Sequence, residues 1–191
     1  MPQKNLDSLR QVPADKIHAS EKALLEKNPQ QLILSKQSVD FKFSTLSPVV
    51  KTDFGPSPAA PIKLINDKSQ KYLIVWSWLS KAAIGKVSVT FPKLTVFDSK
   101  MNIHKITLIQ TGEENGCGLT RCRKMVYDIT SLPSGSYDIV LVPIVEDPEK
   151  ALMLSTITNG TLYPPEVPLY ADYFGDARVS LESKLPFEKI D

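Results

Sequence analysis

The residues that could do chemistry are few. Cys117, Cys122, His18 and His104 are the only thiols and imidazoles in the sequence. Four residues separate the cysteines in Gly116-Cys117-Gly118-Leu119-Thr120-Arg121-Cys122, a spacing that can close a small disulfide loop if the Cβ atoms face each other. A bridge would indicate an oxidising compartment, since reducing compartments keep thiols free. Free thiols are the alternative. Half of a zinc site is the third reading, but tetrahedral zinc takes four ligands and the histidines lie far from the thiols in sequence. The expectation is a Cys117–Cys122 disulfide and no metal site.

Nucleophilic catalysis finds little support. The Gly-x-Ser-x-Gly elbow is absent, and Ser134-Gly135-Ser136 sits in a turn without the flanking pattern. A triad would need a histidine, yet His18 falls in a helical segment and His104 at the start of a strand, where each reads as an ordinary surface or edge residue. Glycoside hydrolysis needs only two carboxylates about 5 to 10 Å apart. The closest acidic pairs, Glu113-Glu114 and Glu146-Asp147, read as solvated loop tips. Calcium loops and phosphate-cradling glycine loops are absent by motif. We therefore expect a noncatalytic protein with no cofactor.

Aromatic residues carry the sharper hint. Trp76 and Trp78 lie two apart, so on a strand their rings share one face, and exposed rings can pack against the C–H faces of a sugar. The other reading puts both in the core beside Tyr72 and Ile74, and their apolar neighbours favour it. A second set, Tyr163, Tyr170, Tyr173 and Phe174, falls in a proline-rich stretch, where loop rings more often meet ligands or partners.

These residues need elements to hold them. A helix is expected over 13–27, with Pro13 in its first turn and Asn28-Pro29 ending it. Its apolar stripe of Ile17, Leu24 and Leu25 is narrow, which suggests a dispensable arm over 1–30 ahead of a domain over 31–191. From residue 32 the period becomes alternating: Val39, Phe41 and Phe43 make a half-buried strand. Ser47 to Pro61 holds four prolines and Gly55, which predicts a linker or long loop. Tyr72 to Leu79 is apolar on both parities and belongs in the middle of a sheet. Val87 to Phe97 changes parity at Phe91-Pro92, which suggests a bulge or bend. Further strands are expected over Ile103–Gln110, Arg123–Ile129, Ser136–Val145 and, at an exposed position of the sheet, Arg178–Leu185. Many short strands between Pro and Gly turns, without a long helix, predict a mainly β fold: an antiparallel β-sandwich or jelly-roll-like domain behind a short helical arm.

Composition narrows the partners. With 23 basic and 21 acidic residues the net charge is +2, and Arg121-Cys122-Arg123-Lys124 is too short a cluster for a phosphate-tracking stripe, so nucleic acid is excluded as a partner. No run approaches the roughly 20 apolar residues of a membrane-spanning helix. Met1-Pro2-Gln3-Lys4 opens straight into polar sequence rather than a signal peptide, which fits a cytosolic protein or one from which a targeting segment has been removed.

The order of several segments resembles the maltose-operon periplasmic protein family of Gram-negative bacteria. The resemblance runs through Tyr72–Leu79, Phe91-Pro92-Lys93-Leu94-Thr95-Val96-Phe97-Asp98-Ser99-Lys100-Met101, the valine-rich Tyr137–Val145, a helix-like Asp147–Ser155, Pro165-Glu166-Val167-Pro168 and a closing strand Arg178–Lys184. It spans roughly residues 30 to 185. It implies a periplasmic location, lipid anchoring at a residue outside this sequence, and an association with uptake of maltodextrin or another oligosaccharide. An envelope protein is the other partner to expect. The family supplies no catalytic residues, and the Cys117–Cys122 loop and the lysine-rich amino-terminal arm depart from it.

Overall fold

The computed structural model describes the chain outside residues 1, 28, 36–37, 83–85, 118–119, 148–150, 157–165 and 186–191. For residues 2, 80–82, 86–87, 112–117, 120–121, 151–156 and 166–169 it describes the backbone alone. The elements run α1 (Pro2–Arg10), a 3-10 turn (Ala14–Lys16), β1 (Ile17–His18), α2 (Glu21–Glu26), β2 (Leu32–Leu34), β3 (Val39–Phe43), β4 (Val49–Thr52), β5 (Gly55–Pro58) and β6 (Ala60–Asn66). Then come β7 (Tyr72–Trp78), β8 (Ser80–Ala82), β9 (Lys86–Thr90), β10 (Pro92–Phe97), β11 (Ile103–His104), β12 (Thr107–Cys117) and β13 (Thr120–Asp128). The last four are β14 (Gly135–Pro143), β15 (Ala151–Thr156), β16 (Glu166–Asp172) and β17 (Gly175–Glu182).

The protein is mainly β, with mostly antiparallel pairing, as expected. Two five-stranded sheets, β11-β10-β14-β6-β2 and β12-β13-β7-β17-β3, share one core in a sandwich-like arrangement. Ile62, Leu64, Val96, Ile139 and Leu141 come from the first, and Phe43, Leu73, Val75, Met125, Val179 and Leu181 from the second. β14 is buried on both faces: Ile139 and Leu141 point into this core, while Val140 and Val142 meet Leu24 and Leu25 of α2 and Val50 of β4 on the other side. That double burial is why its sequence is continuously apolar. A third cluster joins Leu6 and Leu9 of α1 to Val49, Val145, Ala171 and Tyr173.

The amino-terminal segment differs from its expectation. In place of one helix over 13–27 there is a 3-10 turn, the short β1 pairing in parallel with Val49 and Val50, and a helix that begins only at Glu21. Ser20 sets that start: its backbone is extended, and its hydroxyl accepts the Ala23 N–H at 3.2 Å, which is an N-cap. Nor is this segment a loose arm, because Leu9 and Leu24 are each 1 % exposed.

Three other segments also differ. The proline-rich Ser47–Pro61 forms the hairpin β4–β5 and the start of β6. Among the described residues β5 is the outer strand of the sheet β1-β4-β5, a position that tolerates Pro56 and Pro58, which have no N–H to donate. In the helix-like Asp147–Ser155, the residues from Ala151 onward belong to a strand, β15. β17 lies inside its sheet between β7 and β3, rather than at an exposed position. The expected break at Phe91-Pro92 is where the chain leaves one sheet for another: β9 pairs with β16 and β8, and β10 with β14 and β11.

Candidate ligand-binding face

β7 sits in the middle of its sheet, and its two parities go different ways. Leu73 and Val75 enter the shared core. Trp76 and Trp78 therefore point to the opposite, outer face, where both are half-buried. The core reading favoured for them is corrected: a strand apolar on both parities does not reveal which parity faces in, and pairing with β13 and β17 decides it.

Register places charged and polar residues around the indoles. Lys124 and Arg178 lie opposite Trp76 on its two flanking strands, Cys122 lies opposite Trp78, and Asp40 lies opposite Arg178. The Lys124 ammonium stands 3.9 Å from the Trp76 ring centroid, a close cation–π contact for a side chain only 4 % exposed. Trp76 Nε1 donates to Ser180 Oγ at 3.1 Å. The Arg178 guanidinium is 5.5 Å from the Trp78 centroid, and its Nε and Nη2 donate to the two Asp40 carboxylate oxygens at 2.7 and 3.0 Å. That fork holds the Asp40 carboxyl below the usual carboxylate range and raises Arg178 further. Beyond it, Lys42 pairs with Asp176 at 3.5 Å.

No family model, curated protein or solved structure matches the chain.

The second aromatic set does not form a site. Tyr163 lies outside the described residues. Tyr170 is half-buried on β16, a strand rather than a loop. Tyr173 is 3 % exposed and belongs to the cluster under α1, with its hydroxyl donating to the Val145 carbonyl at 3.4 Å and burial raising its pKa. Of the prolines in that stretch, Pro168 lies in β16, whose carboxyl end is pinned inward by Asp172. This carboxylate accepts from Asn5 Nδ2 at 2.6 Å, Ser88 Oγ at 3.0 Å and the Tyr173 N–H at 2.8 Å.

Arg123 and Lys124 lie on β13 rather than in a loop, on opposite faces. His18 is in β1, not a helix, and His104 in β11 approaches Asp98 at 3.3 Å and stacks edge-on to Tyr137. Cys122 is fully buried on the outer face, whereas the Cys117 side chain lies outside the described ones. No grouping of three metal-ligating side chains occurs among the described residues. The sequence reading missed the Asp40–Arg178 fork, because register alone brings together residues so far apart in the chain.

Proposed function

We propose that this protein is a noncatalytic, exported accessory module that binds oligosaccharide on the outer face of the β7 sheet. One observation carries the reading: two indoles side by side on the sheet face turned away from the shared core, flanked by hydrogen-bonding side chains. Binding sites commonly combine apolar area with a few placed polar groups. Export to the periplasm is supported by the short cysteine spacing and by the resemblance to the maltose-operon periplasmic family, and lipid anchoring by that resemblance alone. Glycan-array screening tests the binding: wild type should be retained on some saccharide, and Trp78→Ala should lose that signal while keeping its fold. Silence across the array would overturn it. Thiol titration tests the compartment. Protein purified without reductant and then unfolded in denaturant should yield no reactive thiol, and two equivalents would remove the bridge and weaken the case for export.

A second reading, a structural envelope module recruiting a protein partner by strand addition, is favoured by one lateral side of the sandwich. β12 ends its sheet among the described residues, and Leu108 and Ile109 on it, with Ile103 on β11, are exposed. An added strand would gain main-chain hydrogen bonds there. Cross-linking that captures a protein through β12, lost in Ile109→Lys, would select this reading.

A further inference from the structure

We infer that the ligand of this face is an uncharged oligosaccharide, with Trp78 as its stacking surface and the Asp40–Arg178 fork as the clamp for its hydroxyls. The inference rests on the reading of the face as a saccharide-binding surface and specifies its ligand. Two features carry it: how the charges on the face are engaged, and which indole is left to stack.

The cations Lys124, Arg178 and Lys42 lie on this face by register, and each is engaged. Lys124 sits on the Trp76 ring, Arg178 is forked to Asp40, and Lys42 reaches Asp176. A carboxylate or phosphate on the ligand would have to pull a cation from its partner, leaving Asp40 or Asp176 uncompensated. An uncharged sugar needs no such exchange. A carboxylate has roughly four acceptor positions and a guanidinium about five N–H donors. The fork uses two of each. The rest can take neighbouring hydroxyls, as acceptor and donor, without opening the ion pair.

The two indoles are not equivalent. Trp76 has Lys124 against its ring and its N–H bonded to Ser180, so it organises the face. Trp78 lies one row along, beside the fork, with the Arg178 guanidinium over its ring at 5.5 Å from the centroid, a looser contact than that of Lys124 on Trp76. It is the ring better placed to receive a C–H face, where desolvation and dispersion favour contact.

Isothermal titration calorimetry of neutral gluco-, xylo- and manno-oligosaccharides beside oligouronates and phosphorylated sugars tests this. A neutral member should bind, with affinity changing less than about twofold between roughly 0.05 and 0.5 M salt, because no ligand charge is screened. Trp78→Ala should weaken binding at least about tenfold, and Asp40→Asn, at an exposed position, about threefold or more. Tyr170→Ala, on a strand outside this sheet, should not change it. Tight, steeply salt-dependent binding of uronates or phosphorylated sugars would overturn the uncharged class while leaving saccharide binding intact. Loss in Tyr170→Ala but not in Asp40→Asn would move the site elsewhere. Absence of binding to every sugar would overturn the underlying reading.

Discussion

Gly175 shows how a single residue can depend on a neighbour no sequence pattern announces. A Cβ built on it would lie 2.5 Å from Thr90 Oγ1, closer than real Cβ contacts occur. Thr90 is itself buried, and its hydroxyl has no hydrogen-bond partner among the described residues. Gly175→Ala should therefore destabilise by about 1 to 3 kcal/mol through overpacking. Adding Thr90→Ala should recover part of that loss, since the clashing atom is gone. Urea unfolding of the two single variants and the double variant measures the coupling; additive losses would show that the two residues do not meet. Neither residue stands out in the sequence, where Gly175 is one more glycine before a strand.

Among the elements, the turn joining β10 to β11 carries the clearest pH dependence. Asp98 accepts from the backbone N–H groups of Lys100 and Asn102 at 2.8 and 2.9 Å, from Asn102 Nδ2 at 3.0 Å, and lies 3.3 Å from His104 Nε2. It holds a turn in which Met101 adopts a positive φ of 63°. These bonds, led by those from Asn102, hold the Asp98 carboxyl far below the usual carboxylate range. A depressed folded-state pKa contributes stability above the unfolded value, near 3.9, and that contribution is lost as pH falls through and below it. Stability of the wild type should thus fall below about pH 4, and Asp98→Asn should flatten that limb. Melting temperatures from about pH 2 to pH 7 would decide it; parallel curves would show that the turn contributes nothing. The strand boundaries here were legible, because Phe97 ends an alternating run and Asp98-Ser99 is turn sequence. The hydrogen bonds were not, since they need Asn102 and His104 brought back onto one carboxylate.

In the whole molecule, the amino-terminal segment and the sandwich form one unit. Leu6, Leu9, Leu24 and Leu25 are all buried. At about 1.5 to 3 kcal/mol for each buried leucine, as an upper bound, their contribution rivals the roughly 5 to 15 kcal/mol that stabilises an entire domain. Removing residues 1–27 should leave a protein that does not fold cooperatively, and Leu9→Ala alone should cost about 2 to 5 kcal/mol. Tryptophan fluorescence on urea unfolding reads both; a truncated protein with an unchanged midpoint would restore the dispensable arm that the sequence suggested.

By itself, the sequence determined the strand-rich class, the central position of β7 and the break at Phe91-Pro92, because period, burial demand and proline chemistry are local properties. Only the tertiary structure decided which parity of β7 faces the core, that Tyr173 lies beneath α1, and that Asp40 meets Arg178 beside Trp78. A strand apolar on both sides satisfies either orientation, and its register with β13 and β17, strands distant in the chain, chooses between them.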